Sequence, residues 1–377
     1  MSTSDDDPDV MTAGEYQRYA RQMILPEIGI EGQRQLKGKR VLVVGAGGLG
    51  SPVTMYLAAA GVGIIDVIDF DRVDISNLHR QILFSQDDVA QSKVQVARGR
   101  LREVNPNVQV NAIESRLDAD NAAAVVGPCD LVVDCTDNFA TRYLINDACL
   151  LFGKPYIYAS IYQFEGHLTV FAAPGGPCYR CVYRESPPKD LVPSCAEVGV
   201  LGVLPGVMGT MQGVEAIKLL LGIGRPLVGR LLQYDALAAS VREFEIPQDP
   251  ACPSCAPGCR PLLFDASACA VPASVDSGIS VAELKRMREL GEPLRLVDVR
   301  TPAEHKSISI GNDLLIPLAD LPGRLGEIPK DVPVVLYCLS GVRSAKAVEL
   351  LASVGVASAR SLRGGILAWK AVYEEGA

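Results

Sequence analysis

No apolar stretch of the 377 residues is long and uninterrupted enough to cross a bilayer as a helix. Met1 to Thr12 carries Asp and Ser but no basic region followed by an apolar core, so it does not read as a signal peptide. Positive charge is in deficit: 36 Lys and Arg stand against 44 Asp and Glu, a formal net charge of −8. That argues against a nucleic-acid surface while leaving room for a local basic pocket. No internal repeat is evident. A disulfide framework is missing too, because the eleven cysteines are odd in number and include CxxC pairs in a large chain. Metal binding and thiol catalysis in a reducing cytosol fit that usage better. These absences lead to the expectation of a cytoplasmic protein with no membrane or nucleic-acid partner. What remains is ordinary globular material, 48% hydrophobic and 21% charged, long enough for two or three domains.

Short apolar runs alternate with helix-forming stretches from Arg40 onward. Strands are expected at Arg40 to Val44, Ile64 to Ile68, Val108 to Ile113, Leu131 to Asp134 and Pro155 to Ala159, with helices over Ser51 to Ala60, Ser92 to Val104 and Arg142 to Leu151. The alternation indicates an α/β fold with a Rossmann-like doubly wound sheet. Gln163 to Ala173 reads as an added antiparallel strand and Gly206 to Leu221 as a long buried helix. Pro247 to Gly278 is rich in Pro, Ala, Ser and Cys and has little periodicity, the mark of a linker. A smaller α/β domain follows. The boundaries drawn are 1–12 for a disordered acidic tail, 13–256 for the first domain, 257–278 for the linker and 279–377 for the second domain.

Gly45-Ala46-Gly47-Gly48-Leu49-Gly50 follows the first strand and opens a helix. Gly45, Gly47, Gly48 and Gly50 let a backbone approach phosphates at a helix N-terminus, and Asp69, ending the next strand, stands where a ribose hydroxyl is held. The pattern alone serves NAD and FAD enzymes equally, and glycines also serve plain helix–strand packing. Asp71, Asn77, Arg80 and Lys93 supply the polar and cationic groups that a triphosphate needs. Asp137 and Asn138 lie just past a strand end, where Asp137 is placed to hold a Mg²⁺ bridging phosphates. Solvated surface charge is the bland reading of Arg80 and Lys93.

Cys178-Tyr179-Arg180-Cys181 and Cys252-Pro253-Ser254-Cys255 are two CxxC knuckles. Four thiolates from Cys178, Cys181, Cys252 and Cys255 complete a closed tetrahedral Zn²⁺ site. Redox pairs and coincidental buried pairs compete with that reading, and Cys259 nearby complicates the ligand set. Cys338 ends the apolar run Val334 to Tyr337 and opens Leu339-Ser340-Gly341-Val342-Arg343 ahead of a helix. Backbone N–H groups and a helix N-terminus aimed at the sulfur favour thiolate or persulfide. Cysteine is also among the most buried residue types, so a structural thiol is the competing reading.

Arg18 to Gln22, the glycine loop, Asp69 to Asp71, Asn77 to Gln81, Lys93 and Asp134 to Asn138 together resemble MoeB/ThiF-type enzymes, relatives of ubiquitin-activating enzymes, over residues 12–256. The resemblance implies an ATP-dependent homodimer in which Arg21 reaches the partner's site, with structural zinc on the two knuckles. Leu296 to Glu304, Cys338 to Ser344 and Arg363 to Trp369 resemble a rhodanese (sulfurtransferase) domain, although Lys306 to Leu314 departs from that family's Ile-Pro-Gly-Ala run. By resemblance, Cys195 is a second catalytic thiol.

The combined expectation is a fused enzyme using ATP, Mg²⁺ and Zn²⁺. It adenylates the C-terminal Gly-Gly carboxylate of a small ubiquitin-like sulfur-carrier protein, then converts it to a thiocarboxylate for molybdopterin or a related sulfur-containing cofactor. Sulfur would come to Cys338 from a cysteine desulfurase or a thiosulfate-type donor, with Arg343 and the loop N–H groups stabilising the sulfur anion. Arg80, Lys93 and Asp137 would serve the phosphates. Three alternatives are weighed: a rhodanese domain that only docks partners, a non-catalytic scaffold, and a dinucleotide-dependent oxidoreductase, for which no hydride site stands out.

Overall fold

The computed structural model describes residues 11–185, 199–256, 258–259, 278–329, 331–356 and 358–374. Cys195, residues 1–10 of the expected tail and nearly all of the 257–278 linker lie outside them. Two compact units, Met1–Cys269 and Ala270–Ala377, each hold their own sheet and core.

The first unit begins with α1 (Ala13–Met23), started by a reciprocal cap in which Thr12 Oγ1 accepts from the Glu15 N–H and Glu15 Oε2 from the Thr12 N–H. There follow α2 (Gly29–Lys37), β1 (Arg40–Val44), α3 (Gly50–Ala60), β2 (Ile64–Ile68), α4 (Lys93–Val104), β3 (Gln109–Ile113), α5 (Ala122–Val126), β4 (Leu131–Asp134), α6 (Phe139–Phe152), β5 (Tyr156–Tyr162), β6 (Glu165–Phe171), α7 (Tyr179–Val182), α8 (Leu204–Leu221), β7 (Arg230–Asp235) and β8 (Ser240–Glu245). The sheet runs β3-β2-β1-β4-β5-β6-β7-β8. Its first five strands are parallel and the rest antiparallel.

Strands β1, β2 and β4 are buried along almost their whole length, which is why they read as continuous apolar runs and not as alternation. Val41 and Val43 face one core with α3 and α8, and Leu42 and Val44 the other with α6. Gln163 to Ala173 contains β6, antiparallel as expected, and the long apolar helix is α8. The pair β7 and β8 was not anticipated. Charged and apolar residues are mixed in Arg230–Asp235 and Ser240–Glu245, and β8 stays mostly exposed, so neither has the apolar run that marks the inner strands.

The second unit contains β9 (Gly278–Ile279), α9 (Val281–Glu289), β10 (Arg295–Asp298), α10 (Pro302–Ser307), β11 (Asp313–Leu315), β12 (Val334–Tyr337), α11 (Val342–Ser353), β13 (Ala359–Leu362) and α12 (Gly365–Glu374). All five strands are parallel in the order β11-β10-β12-β13-β9, with a core on each face. Among the described residues no helix is long and apolar enough to cross a membrane.

Candidate functional site

Strand order reverses between β1 and β4, which pair in parallel with Val44 opposite Asp134. Loops leaving their carboxyl ends therefore diverge and open a crevice, the place where sheets of this class hold ligands. One wall is the glycine loop. Gly45 has φ +97°, and a Cβ there would stand 2.8 Å from the Cys135 carbonyl oxygen; one on Gly50 would stand 2.0 Å from the Gly45 oxygen. Only glycine lets the two strand ends and the helix start come so close. The 11-residue helix α3 leaves this loop, so its amide groups point into the crevice.

Asp69 fixes that wall. Its Oδ2 accepts from the Ala46 N–H and its Oδ1 from the Asp71 N–H, both at 2.8 Å. Asp71 is half exposed and ion-paired at 2.8 Å to the buried ammonium of Lys93. Asn77 and Arg80 lie on the turn that packs over the glycines, with the Arg80 stem against Gly48 and Gln81 against Gly47. Arg80 Nη1 is held by the Ser76 carbonyl at 3.1 Å and lies 2.8 Å from His79 Nε2. Gln81 Nε2 donates to Asn77 Oδ1 at 2.7 Å, and Gln81 Oε1 is buried without a partner. The glycines, Asp69, Asp71, Asn77, Arg80 and Lys93 thus form one connected group. Backbone amides, a helix N-terminus and two cations are the donor set a polyphosphate requires, so these residues fit a nucleotide triphosphate.

Asp137 and Asn138 occupy the opposite wall, both exposed. Asn138 Oδ1 accepts from the Thr141 N–H at 2.9 Å, capping α6. Asp137 therefore sits between a cap and a pinned turn. Asp134 Oδ1 accepts from the N–H and hydroxyl of Thr136, and Arg142 Nη2 donates to the Thr136 carbonyl at 2.9 Å. Arg142 is buried, its guanidinium 5.2 Å from the Tyr158 ring centroid. Burial raises the carboxyl pKa of Asp134. The pinning role of Arg142 was missed in the sequence; an arginine eight residues beyond a strand-end Asp carries no motif of its own. Arg21 is exposed on the last turn of α1, away from any role that one copy of the chain could show.

The two knuckles meet. Cys178 Sγ lies 3.5 Å from Cys252 Sγ, Cys181 Sγ 3.4 Å from Cys255 Sγ, and Cys178 and Cys181 are 3.9 Å apart; all four sulfurs fall within 4.8 Å of one another. Zn–S bonds of about 2.3 Å in a tetrahedron give sulfur–sulfur edges of about 3.8 Å, so the four thiols fit a structural zinc. N–H groups of Cys178 and Asp249 approach Cys181 Sγ at 3.4 Å, and Gln248 Nε2 approaches Cys255 Sγ at 3.6 Å, donors that steady thiolates around a metal. Burial and the other three sulfurs push the Cys178 thiol upward, a penalty that a bound dication would offset. Cys259 stays outside the four, 3.6 Å from the Cys252 carbonyl. Chelation is expected to lower the thermal midpoint of the first unit, and Cys181→Ser to reduce bound zinc from one per chain to nearly none; an unchanged metal content by elemental analysis would contradict the assignment.

Cys338 directly follows β12 and is almost fully buried. The Gly341 N–H points at Sγ from 3.1 Å and Ser344 Oγ from 3.6 Å. Ser344 is fixed in turn by Ser361 at 2.8 Å. A Cβ on Gly365 would stand 2.4 Å from the Cys338 carbonyl oxygen, so the closing glycines seat the loop against α12. Arg343 donates to Glu304 at 2.5 and 3.0 Å, and the guanidinium holds the Glu304 carboxyl down at about 2. The stretch that departs from the rhodanese pattern is tied down by other means. Arg300 is chelated by Asp298 and also donates to the Ile308 carbonyl at 2.6 Å, while the Tyr337 hydroxyl donates to Asp313. His305 Nδ1 lies 3.0 Å from Asp298 Oδ2.

Comparison with known proteins gives two profile matches, the ThiF family over residues 19–254 and a rhodanese-like domain over 280–372. The chain is 46% identical over 367 residues to the probable adenylyltransferase/sulfurtransferase MoeZ of Mycobacterium tuberculosis, covering 94% of this chain and 93% of that protein. It is 54% identical over 249 residues to the sulfur carrier protein adenylyltransferase of Thermus thermophilus, covering 65% of this chain and 92% of the relative. Among solved structures, Escherichia coli MccB bound to MccA-N7isoASN superposes with a TM-score of 0.56 at 22% identity over 65% of this chain and 75% of that one, a likeness of fold.

Proposed function

This chain belongs to the ThiF family and ends in a rhodanese-like domain, and from that premise we propose how one polypeptide activates a carboxylate and then thiolates it. It is an adenylyltransferase and a sulfurtransferase, as its relatives over most of its length are. The substrate of the first step is the C-terminal Gly-Gly carboxylate of a small ubiquitin-like sulfur carrier. The carboxylate oxygen attacks the α-phosphorus of ATP, pyrophosphate leaves, and a poor electrophile becomes a reactive acyl adenylate. Arg80 and Lys93 neutralise phosphate charge as it builds, and the α3 amides cradle the phosphates. A Mg²⁺ held by Asp137 would neutralise further charge on them. Arg21, by resemblance, completes the site of a second copy in a homodimer.

In the second step a persulfide on Cys338 attacks the acyl carbon and AMP leaves, giving an acyl disulfide. Thiolate attack on Cys338 Sγ, by Cys195, then frees the carrier thiocarboxylate and leaves a Cys195–Cys338 disulfide, which a thiol reductant reopens. Arg343, the Gly341 N–H and the α11 N-terminus stabilise the sulfur anion. The product serves molybdopterin or a related cofactor pathway, and the reaction takes place in the cytoplasm.

The observation that carries this reading is the joining, in one chain, of a cation-lined switch-point crevice with a cysteine cradled at a helix start. Pyrophosphate exchange into ATP is expected only when a carrier ending in Gly-Gly is present, and to vanish when the last glycine is deleted. Exchange that ignores the carrier terminus would overturn the substrate assignment.

A further inference from the structure

We propose that Tyr179, inside the Cys178–Cys181 knuckle, and Arg142 are positioning residues for the nucleotide crevice, so that zinc and Mg²⁺-bound ATP strengthen each other's binding. The inference rests on the adenylation reading above and links that site to the four thiols. Tyr179 and Arg180 stand between two of those thiols, on the single turn α7. That turn is tied to α6, the helix capped by Asn138 beside Asp137. Asn146 Oδ1 accepts from the Tyr179 N–H at 2.8 Å, and Asp147 takes two bonds from the Arg180 guanidinium, at 2.8 and 3.1 Å. The Tyr143 hydroxyl donates to the Tyr183 carbonyl at 2.9 Å, just past the turn. Asn146 and Asp147 are both buried, so little water competes for these bonds.

A second connection runs through rings. Tyr179 is fully buried, with its ring centroid 5.5 Å from that of Tyr158. The Arg142 guanidinium lies 5.2 Å from the same Tyr158 centroid. Its other end reaches the crevice, where Nη2 donates to the Thr136 carbonyl at 2.9 Å, one residue before Asp137. Asp134 and Tyr179 are charge neighbours of Arg142. Asp134 Oδ2, Arg142 Nε and the Tyr179 hydroxyl are all buried without hydrogen-bond partners. No bond of their own fixes these three atoms, so the packing around them holds the arrangement and a looser knuckle disturbs it.

The consequence follows at both ends. Four sulfurs 3.4 to 3.9 Å apart along the measured edges need a cation to stay together as thiolates. Removing the metal would loosen α7, then the Tyr179 ring, then Arg142 and the turn that carries Asp137. Mg²⁺-bound ATP on Asp137 would fix that turn and favour the closed knuckle. Coupling of two binding equilibria is reciprocal, so one factor describes both effects.

The test measures zinc affinity of the full chain by competition with a chromogenic chelator, with and without saturating Mg²⁺ and ATP. Bound ATP is followed in parallel by equilibrium dialysis. Mg²⁺ with ATP is expected to tighten zinc binding about tenfold, within the usual range of coupling between sites. ATP in Mg²⁺-free buffer should give a smaller factor, because Asp137 is then not engaged. Tyr179→Leu, which keeps all four thiols, should lose most of the factor, and Tyr179→Phe should keep it, since the rings remain and the hydroxyl has no hydrogen bond to lose. Arg142→Lys, remote from the thiols and shorter in reach toward Thr136, should lower the factor as well. Gln248→Ala removes a donor to Cys255 Sγ at the other knuckle, so it should weaken zinc itself and leave the factor unchanged. A double-mutant comparison of this kind separates coupling from simple loss of metal. A factor near one in the parent chain, or a factor unmoved by both Tyr179→Leu and Arg142→Lys, would overturn the proposal. A zinc-loaded chain that binds no ATP at all would instead overturn the nucleotide reading beneath it.

Discussion

Replacing Cys338 with alanine is expected to abolish thiocarboxylate formation, by more than about a thousandfold, because no other group supplies the covalent sulfur. Carrier-dependent pyrophosphate exchange should stay within about twofold of the parent, since the phosphate-facing residues belong to another unit with its own core. The substitution removes one buried sulfur and leaves the Gly341 N–H without its acceptor, a cost of about 1–2 kcal/mol that the second unit is expected to withstand. Cys338→Ser keeps an acceptor there and isolates the chemistry from the packing. Both variants should be inactive in transfer and active in exchange. Loss of exchange in the serine variant, measured with the carrier saturating, would contradict a division of labour between the two units.

Lys93→Met is expected to produce the mirror image, with exchange reduced by about 10²–10³-fold, the usual scale for removing one preorganised cation from a charge-developing transition state. Methionine preserves most of the buried stem, and Asp71, released from its 2.8 Å ion pair, is half exposed and can take up water. The thermal midpoint should therefore move by only a few degrees, in keeping with the small worth of partly exposed pairs. Sulfur loading of Cys338 should be untouched. Mixing Lys93→Met chains with Arg21→Ala chains tests the homodimer as well. If Arg21 serves the neighbouring copy, the mixture regains exchange that neither variant has alone; mixed chains as inactive as their parents would place Arg21 in its own site or in none.

Much of this was legible in the residues because short-range rules governed it. Strands β1, β2 and β4 are buried along almost their whole length and so read as apolar runs, and the glycine loop is forced by contacts under 3 Å that no side chain fits. The Cys338 unit carried a strand, a small-residue loop and a helix in order, and the fold keeps them so. The zinc ligands were visible as two pairs, but their meeting depended on the chain running through α8, β7 and β8 between them, and β7 and β8 were not anticipated.

What sequence could not show is which charges are already answered. Arg343 looked like a free partner for a sulfur anion, yet the guanidinium that reaches Cys338 is also held by Glu304, 39 residues earlier. Lys93 looked like a free phosphate ligand, yet Asp71 holds it. Arg142 carried no signal at all, because its role comes from a bond to the Thr136 carbonyl in a turn whose shape depends on Asp134. Pairings of this kind come from tertiary neighbours and leave no periodicity behind.

The most direct test of the central claim is intact-mass spectrometry of Gly-Gly carriers incubated with the full chain, ATP, Mg²⁺ and a persulfide donor. One carrier oxygen is expected to be replaced by one sulfur, with no replacement when ATP is left out or when Cys338 is serine. Carriers that remain carboxylates while pyrophosphate is still released would contradict the account, leaving an adenylating enzyme whose second unit does not deliver sulfur.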